Sequence, residues 1–413
     1  MFTTLHIALL LPLGVFAIFV GYLLLLTAAA AKAPKTTPLS NRKPHHRFLI
    51  LIPAHNEERL LPSVLENLNH LDYLPSQYEI HVVADNCTDQ TATVARQGGA
   101  IAHERSDTTR RGKGFALEWL LHRLWEENIL HDTITDAIVI LDADTVVSPN
   151  FLCVMDARLS NGEQVIQAYY AVRDPARSWA ISIRYIALAA IHYLRPLGRT
   201  VLGGSVGLKG NGMVFAANVM KKYQWSTHLT EDIEFHMQLV LTGGRVTFAP
   251  DAVVEAEMPD TLRSAQTQNA RWERGRVEMA RRYVPPLWRE AWKALGARQG
   301  RRAYLLFDAI TEHIIPPFSI FTAASVLCFF VALILPPGSY PLLKTTNLLL
   351  GSGVLLGQIV YAFASLRLVR APKKIYSALF YAPIFVLWKI GLYFRVFFKA
   401  DQREWVRTAR NEP

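Results

Sequence analysis

Two aspartates one residue apart, Asp142-Ala-Asp144, stand directly after the apolar run Ala137-Ile-Val-Ile-Leu141. In an extended chain, residues i and i+2 point to the same side. Two carboxylates so placed at a strand end suit a hard divalent cation, Mg2+ or Mn2+, that also takes phosphate oxygens. A solvated turn has the same composition. Asp85-Asn-Cys-Thr-Asp89 follows another apolar run. Asp85 can accept hydrogen bonds from a base or ribose; alternatively, Asp85 or Asp89 caps the next helix. Arg110-Arg-Gly-Lys-Gly114 sets Lys113 between glycines at a helix start, where a cation and backbone N–H groups can meet a diphosphate. It lacks the GxxxxGKS/T spacing of a P-loop, and a flexible basic turn reads the same way. Thr230-Glu231-Asp232 opens the amphipathic segment Ile233–Leu241. There Thr230 can cap the helix while Glu231 and Asp232 favour its positive end. In Gln268-Asn-Ala-Arg-Trp272, three side chains three and four residues apart share one helical face. Arg271 offers a planar fork to phosphate and Trp272 a flat face to a sugar ring; a salt bridge and a core tryptophan account for them equally.

These groups need a scaffold that brings loops together. Residues 46–282 alternate short apolar runs with helical segments. The pattern predicts strands over 47–53, 79–84 and 137–141, and helices over 57–69, 88–97, 113–129 and 261–282, with Asn56 as an N-cap. Strand–helix alternation with continuously apolar strands predicts an α/β domain, Rossmann-like, with a mostly parallel sheet covered on both faces. Ligands of such sheets bind beyond the carboxyl ends of the strands. The polar clusters at 54–57, 85–89 and 142–144 sit there.

The chain has 413 residues, 51% of them hydrophobic and 19% charged, with a mean hydropathy of +0.15. That excludes a disordered or collagen-like chain and directs attention to the membrane. Ile7–Ala31, Ile314–Pro336 and Thr345–Leu366 carry no charge and are long enough to cross a bilayer. Pro316 and Pro317 predict a broken entry to the second. Lys32, Lys35, Arg42 and Lys43 follow the first span, which places residues 32–313 in the cytoplasm, beside the cell (inner) membrane. Residues 375–398 contain Lys389 and Arg395, and a crossing there exports Lys399, Arg403, Arg407 and Arg410. An interfacial helix is therefore expected, a fourth crossing being the alternative. The expected division is a membrane helix and linker over 1–45, a catalytic domain over 46–282, and a membrane region with two or three spans and interfacial helices over 283–413. The segment Arg177–Arg199 mixes aromatics with four arginines, as a helix on the membrane surface or one covering the sheet does. The net charge is +10, but the cations gather at membrane flanks rather than in an aromatic-interleaved patch, so nucleic acid is not an expected partner. Three cysteines without metal spacing imply no disulfide framework.

Taken in order, "PAHNEE", "ADNCTD", "RGKG", "DAD", "TED" and "QNARW" resemble the membrane-integrated family 2 glycosyltransferases, such as cellulose, hyaluronan, chitin and poly-N-acetylglucosamine synthases. The resemblance implies a GT-A fold and inverting transfer from a UDP-sugar of the glucose or N-acetylglucosamine type. It assigns Pro53, Ala54 and Glu57 to the first nucleotide-contacting loop and Asp85 to the nucleobase. Lys113 falls to the diphosphate, Asp142 and Asp144 to the metal, with Asp142 also on the donor side. Asp232 becomes the general base, with Glu231 beside the substrate. Gln268, Arg271 and Trp272 lie by the diphosphate and acceptor, and Gly210-Asn-Gly212 lines the acceptor site. Asn269 departs from the usual Gln or Arg, and no FxVTxK-like sequence follows Trp272. Extension of a β-linked polysaccharide is the first expectation. A single transfer to lipid, giving a glycolipid, is the second. A non-catalytic nucleotide-sugar-binding scaffold is the third, and retention of Asp232 and both aspartates of "DAD" speaks against it. Membrane lipids are expected partners; protein partners are left open.

Overall fold

A computed structural model describes residues 2–398 apart from 35, 38–43, 128, 131–134, 224 and 229. Lys35, Arg42, Lys43, Lys399, Arg403, Arg407 and Arg410, which bear on orientation, lie outside the described residues. In chain order the elements are α1 (Phe2–Lys32), β1 (Phe48–Ala54), α2 (Leu61–Asn69), β2 (Tyr78–Asp85), α3 (Thr91–Gln97), β3 (Ile101–Arg105), α4 (Lys113–Glu126), β4 (Ala137–Ile140), β5 (Thr145–Val147), α5 (Phe151–Ser160), β6 (Val165–Val172), α6 (Trp179–Ala189) and α7 (Arg195–Leu202). Then come β7 (Met213–Ala216), α8 (Ala217–Lys222), α9 (Glu231–Leu241), β8 (Thr247–Ala256), α10 (Gln266–Gly296), α11 (Gly300–Ile314), α12 (Phe318–Ile334), α13 (Pro341–Leu368), α14 (Lys373–Ser377) and α15 (Ala382–Phe398). They form two units interleaved along the sequence: 34–174 with 203–310, and 1–33 with 175–202 and 311–400.

The first unit is built on one eight-stranded sheet ordered β3-β2-β1-β4-β7-β6-β8-β5. The apolar runs read from the sequence become its buried strands, with Phe48, Ile50, Ile52 and Val139 fully excluded from solvent. β1 pairs in parallel with β2 and β4, and β2 with β3. β7 runs antiparallel to β4 and β6, while β6 and β8 are parallel. The sheet is thus parallel through its first half and mixed in its second. Ala54 lies opposite Ala84 in register, so the β1 and β2 loops leave the same edge, and the loop after β4 joins them.

Several expected boundaries shift. Residues 58–60 form a turn and α2 begins at Leu61, ahead of Pro62. Asn56 is not an N-cap: it sits in a left-handed conformation (φ 55°) and its Oδ1 accepts from the Thr88 amide at 2.8 Å. Asp89, rather than Asp85, serves the next helix, accepting from Thr91 N at 3.0 Å. α4 ends at Glu126, not 129. α10 runs on to Gly296 through Pro285 and Pro286, well past the expected end at 282.

The second unit gathers the apolar helices. Phe2–Lys32, Pro341–Leu368 and Lys373–Arg395 are each long and apolar enough to cross a membrane. The third covers the segment expected to lie at the interface. The chain breaks between α11 and α12 at Pro316–Pro317, as the sequence predicts. Residues 175–202 belong to this unit, with α7 packed on α1 and α6 on α13.

Candidate active site

The loop after β4 holds Asp142 and Asp144, both partly exposed, around the buried Ala143. Lys113 is the first residue of α4, after Gly112 in a left-handed conformation (φ 122°). Its Nζ donates to Asp142 Oδ1 at 2.5 Å and to the Gly210 carbonyl at 2.5 Å. Gly210 has φ +74°, and a Cβ there would lie 3.4 Å from Asp232 Oδ2 and 3.9 Å from Lys113 Nζ. One small volume thus holds groups from the starts of α4 and α9, the β4 loop and the 209–212 segment.

That segment is held rigidly from beneath. Gln167, on β6, accepts from Lys209 N at 2.9 Å and donates to the Asn211 carbonyl at 2.8 Å. Asn211 donates to Thr145 Oγ1 at 2.8 Å and accepts from the Asp142 amide at 3.2 Å. Gly212 (φ +67°) has no room for a side chain, since a Cβ would meet Val254 Cγ2 at 2.7 Å. Buried amide side chains that fix backbone in this way make a preorganised site.

The electrostatics are unbalanced. Burial raises the pKa of Glu231 to about 7, and the neighbouring Asp232 charge adds to the shift while Lys113 opposes it. Asp232 is raised by burial too, against the Ile233 amide and the charges of Lys113 and Lys209. For Lys113, burial works against the charge, yet Asp142, Glu231 and Asp232 together hold its pKa above the ordinary range. Neither Glu231 nor Asp232 makes an ion pair among the described residues. Thr230 does not cap α9 with its hydroxyl. It packs against α10, where a Cβ on Gly275 would stand 2.1 Å from Thr230 Cγ2. Gln268, Arg271 and Trp272 lie on the same helical face as Gly275, one and two turns earlier, and all three are partly exposed. Arg271 and Trp272 make no hydrogen bond, ion pair or ring contact among the described residues. No salt bridge therefore accounts for Arg271 there, and Trp272 is not among the fully buried residues of its helix.

A second cluster forms where β1 and β2 end. Asp85 is 5% exposed and accepts from Arg105 Nη1 at 2.5 Å and from Asn86 Nδ2 at 3.0 Å. Arg105 also reaches Asp107 at 3.0 Å. Glu57 N donates to Thr91 Oγ1 at 2.9 Å, and His55 Nδ1 lies 2.7 Å from the Asp85 carbonyl, so the two loops are laced together. Pro53 and Ala54 end β1 beside them. An open cleft of about 600 Å³ is lined by Glu104, Arg105, Ser106, Asp107, Thr108 and Trp119. Arg105, Gln167 and Gly275 carry no signal in the linear sequence, because their partners come from other strands and helices.

A glycosyltransferase-like family 2 model matches residues 44–275, more than half of the chain. The chain is 26% identical over 245 residues to the β-monoglucosyldiacylglycerol synthase of Synechocystis, covering 59% of this chain and 50% of that one. It is 22% identical over 270 residues to the poly-β-1,6-N-acetyl-D-glucosamine synthase of Staphylococcus epidermidis, covering 63% and 60%. The chain spans about half the length of the curated relatives it matches. Among solved structures, a mannosyltransferase, PcManGT, from Pyrobaculum calidifontis in complex with GDP-Man and Mn2+ superposes with a TM-score of 0.55 at 17% identity, covering 94% of this chain and 99% of that one. That likeness shows the GT-A fold. The chain belongs to the glycosyltransferase-like family 2.

Proposed function

We propose that this enzyme transfers a sugar of the glucose or N-acetylglucosamine type from a UDP-sugar, with inversion, to the end of a β-linked polysaccharide growing at a membrane. The observation that carries the reading is the convergence of Lys113, Asp142, Gly210 and Asp232 in one rigid cluster. An acceptor hydroxyl attacks the anomeric carbon; the new C–O bond forms as the bond to the diphosphate breaks. Asp232 takes the hydroxyl proton, and its raised pKa brings it closer to the acidity at which a base works well at neutral pH. Lys113 and Arg271 neutralise charge growing on the departing diphosphate. Asp85, held by Arg105, faces the nucleobase, with Pro53, Ala54 and Glu57 in the adjoining loop. Trp272, beside Arg271, offers a ring for the acceptor sugar to stack on, which favours a saccharide acceptor.

The donor set suits a hard divalent cation. Asp142 and Asp144 are two carboxylates, and no group of three or more His, Cys, Asp or Glu side chains able to hold a metal occurs among the described residues. An ion such as Mg2+ or Mn2+ accepts one or two carboxylates and completes its shell with water and phosphate oxygens. When bound, it would supply positive charge to the leaving group. A glycolipid product is the second reading, favoured by the likeness to β-monoglucosyldiacylglycerol synthases.

The test is to incubate the full chain in nanodiscs with a panel of UDP- and GDP-sugars, with Mg2+ or Mn2+, with and without diacylglycerol, and to size the products. A ladder of long chains from a UDP-sugar is expected. One sugar on lipid overturns the polysaccharide reading, and turnover with GDP-sugars alone overturns the donor.

A further inference from the structure

The unit of apolar helices contains a cation that the catalytic reading leaves unused. Arg195 opens α7, directly after a π-helical segment, Ala190–Leu194. Such segments interrupt regular helices and often mark functional positions. Arg195 is half-buried, and its Nε donates to Tyr361 Oη at 2.7 Å while its guanidinium carbon lies 5.7 Å from the centre of that ring. No carboxylate pairs with it among the described residues, and its two terminal nitrogens make no hydrogen bond there. Tyr361 is 1% exposed, and its hydroxyl proton has no acceptor among the described residues.

Arg199, one turn further on, shows what neutralisation looks like in the same unit. It pairs with Glu312, and two of its nitrogens reach Tyr22 Oη at 3.1 and 3.2 Å. An unpaired guanidinium among apolar helices is expensive and is retained where something external completes it. The free edge of Arg195 presents two parallel N–H donors, the geometry that grips a phosphate, while Tyr361 holds the guanidinium from its Nε side.

We infer that Arg195 and Tyr361 form a binding site for the phosphate headgroup of a lipid. The inference goes beyond the transfer reaction and does not depend on which acceptor is used.

The test measures binding of tritiated farnesyl phosphate to the full chain in neutral phosphatidylcholine nanodiscs, without sugar donor. Farnesol competes as the chain alone and inorganic phosphate as the head alone. Wild type is expected to bind farnesyl phosphate at least about tenfold more tightly than farnesol. Arg195→Gln should lose about tenfold, and Arg195→Lys and Tyr361→Phe less, with unfolding temperatures near wild type. If Arg195→Gln does not fold, Tyr361→Phe carries the comparison. Equal binding of farnesol, or unchanged binding by the variants, overturns the inference. Displacement by inorganic phosphate at matching concentrations assigns the site to a free anion and overturns the lipid. Because no sugar is transferred, an enzyme that glycosylates normally yet ignores farnesyl phosphate defeats this inference alone.

Discussion

Two acidic clusters at one edge of the sheet are built on opposite electrostatic plans. Where β2 ends, buried Asp85 has Arg105 against it at 2.5 Å, and Asp107, the second acid on that arginine, is satisfied by its own turn, accepting from Thr109 N and Arg110 N at 3.0 Å each. Where β4 ends, Lys113 serves Asp142 directly and must offset Glu231 and Asp232 through space. The first cluster is complete without a ligand. The second carries excess negative charge and raised pKa values, which a protein tolerates where a cation or a proton is due to arrive. A saturated carboxylate orients; an unsaturated cluster does chemistry.

The largest effect that tests this contrast is Asp232→Asn. It keeps the shape and removes the proton acceptor, so turnover should fall about 10³-fold, while UDP binding followed by calorimetry stays within about twofold. Turnover near the wild-type rate would remove Asp232 from the role of base. Next is Arg105→Met, which strands a buried carboxylate. We expect a loss of about 3 kcal/mol in chemical denaturation, together with weakened UDP binding. An unchanged midpoint would mean that Asp85 is not charge-balanced by Arg105, and the contrast would fail. Gly275→Val forces a side chain into Thr230, displacing α10 from the start of α9. A stability loss of about 2 kcal/mol is expected, with kcat falling further than UDP affinity. Equal losses in both would indicate a purely structural contact.

The sequence exposes the first plan poorly and the second well. Asp142, Asp144, Lys113 and Asp232 each follow a strand or start a helix, so local pattern predicts both their element and their edge. The apolar strands were legible for the same reason: burial on both faces leaves continuous Val, Ile and Leu. The Asp85–Arg105 pair was hidden because its two halves are 20 residues apart and meet only through the β2–β3 pairing. The start of α2 is masked because Asn56 looks like a cap, yet its left-handed backbone and its bond to Thr88 serve a loop crossing instead. The membership of residues 175–202 escaped because amphipathic periodicity gives a helix its two faces without saying what meets the apolar one. α10 outran its expected end because Pro285 and Pro286 are accommodated within the helix, a tertiary outcome that local propensity does not predict.

The smallest effect is the sharpest probe of the excess charge. Glu231 has an ordinary pKa of 4.5 when the chain is unfolded and about 7 in the folded, ligand-free enzyme, chiefly from burial and then from Asp232. A carboxyl raised in this way prefers its proton in the folded state. Below about pH 4.5 it is protonated in both states and costs nothing. As pH climbs towards 7 the folded state resists ionisation, and its stability relative to the unfolded chain declines. Glu231→Gln removes that penalty, so the variant should be more stable than wild type by about 1 kcal/mol at pH 7.5, roughly 2–4 °C in unfolding temperature, with the gain vanishing near pH 4.5. Taking the difference between variant and wild type cancels the buried His81–His103 pair, whose lowered pKa values pull stability the other way as pH falls. Asp232 is raised as well, so turnover should begin to decline, as pH falls, at a higher pH than an ordinary aspartate base would give. A variant less stable than wild type at pH 7.5 would mean that Glu231 is paired rather than crowded. The two clusters would then differ in composition but not in plan.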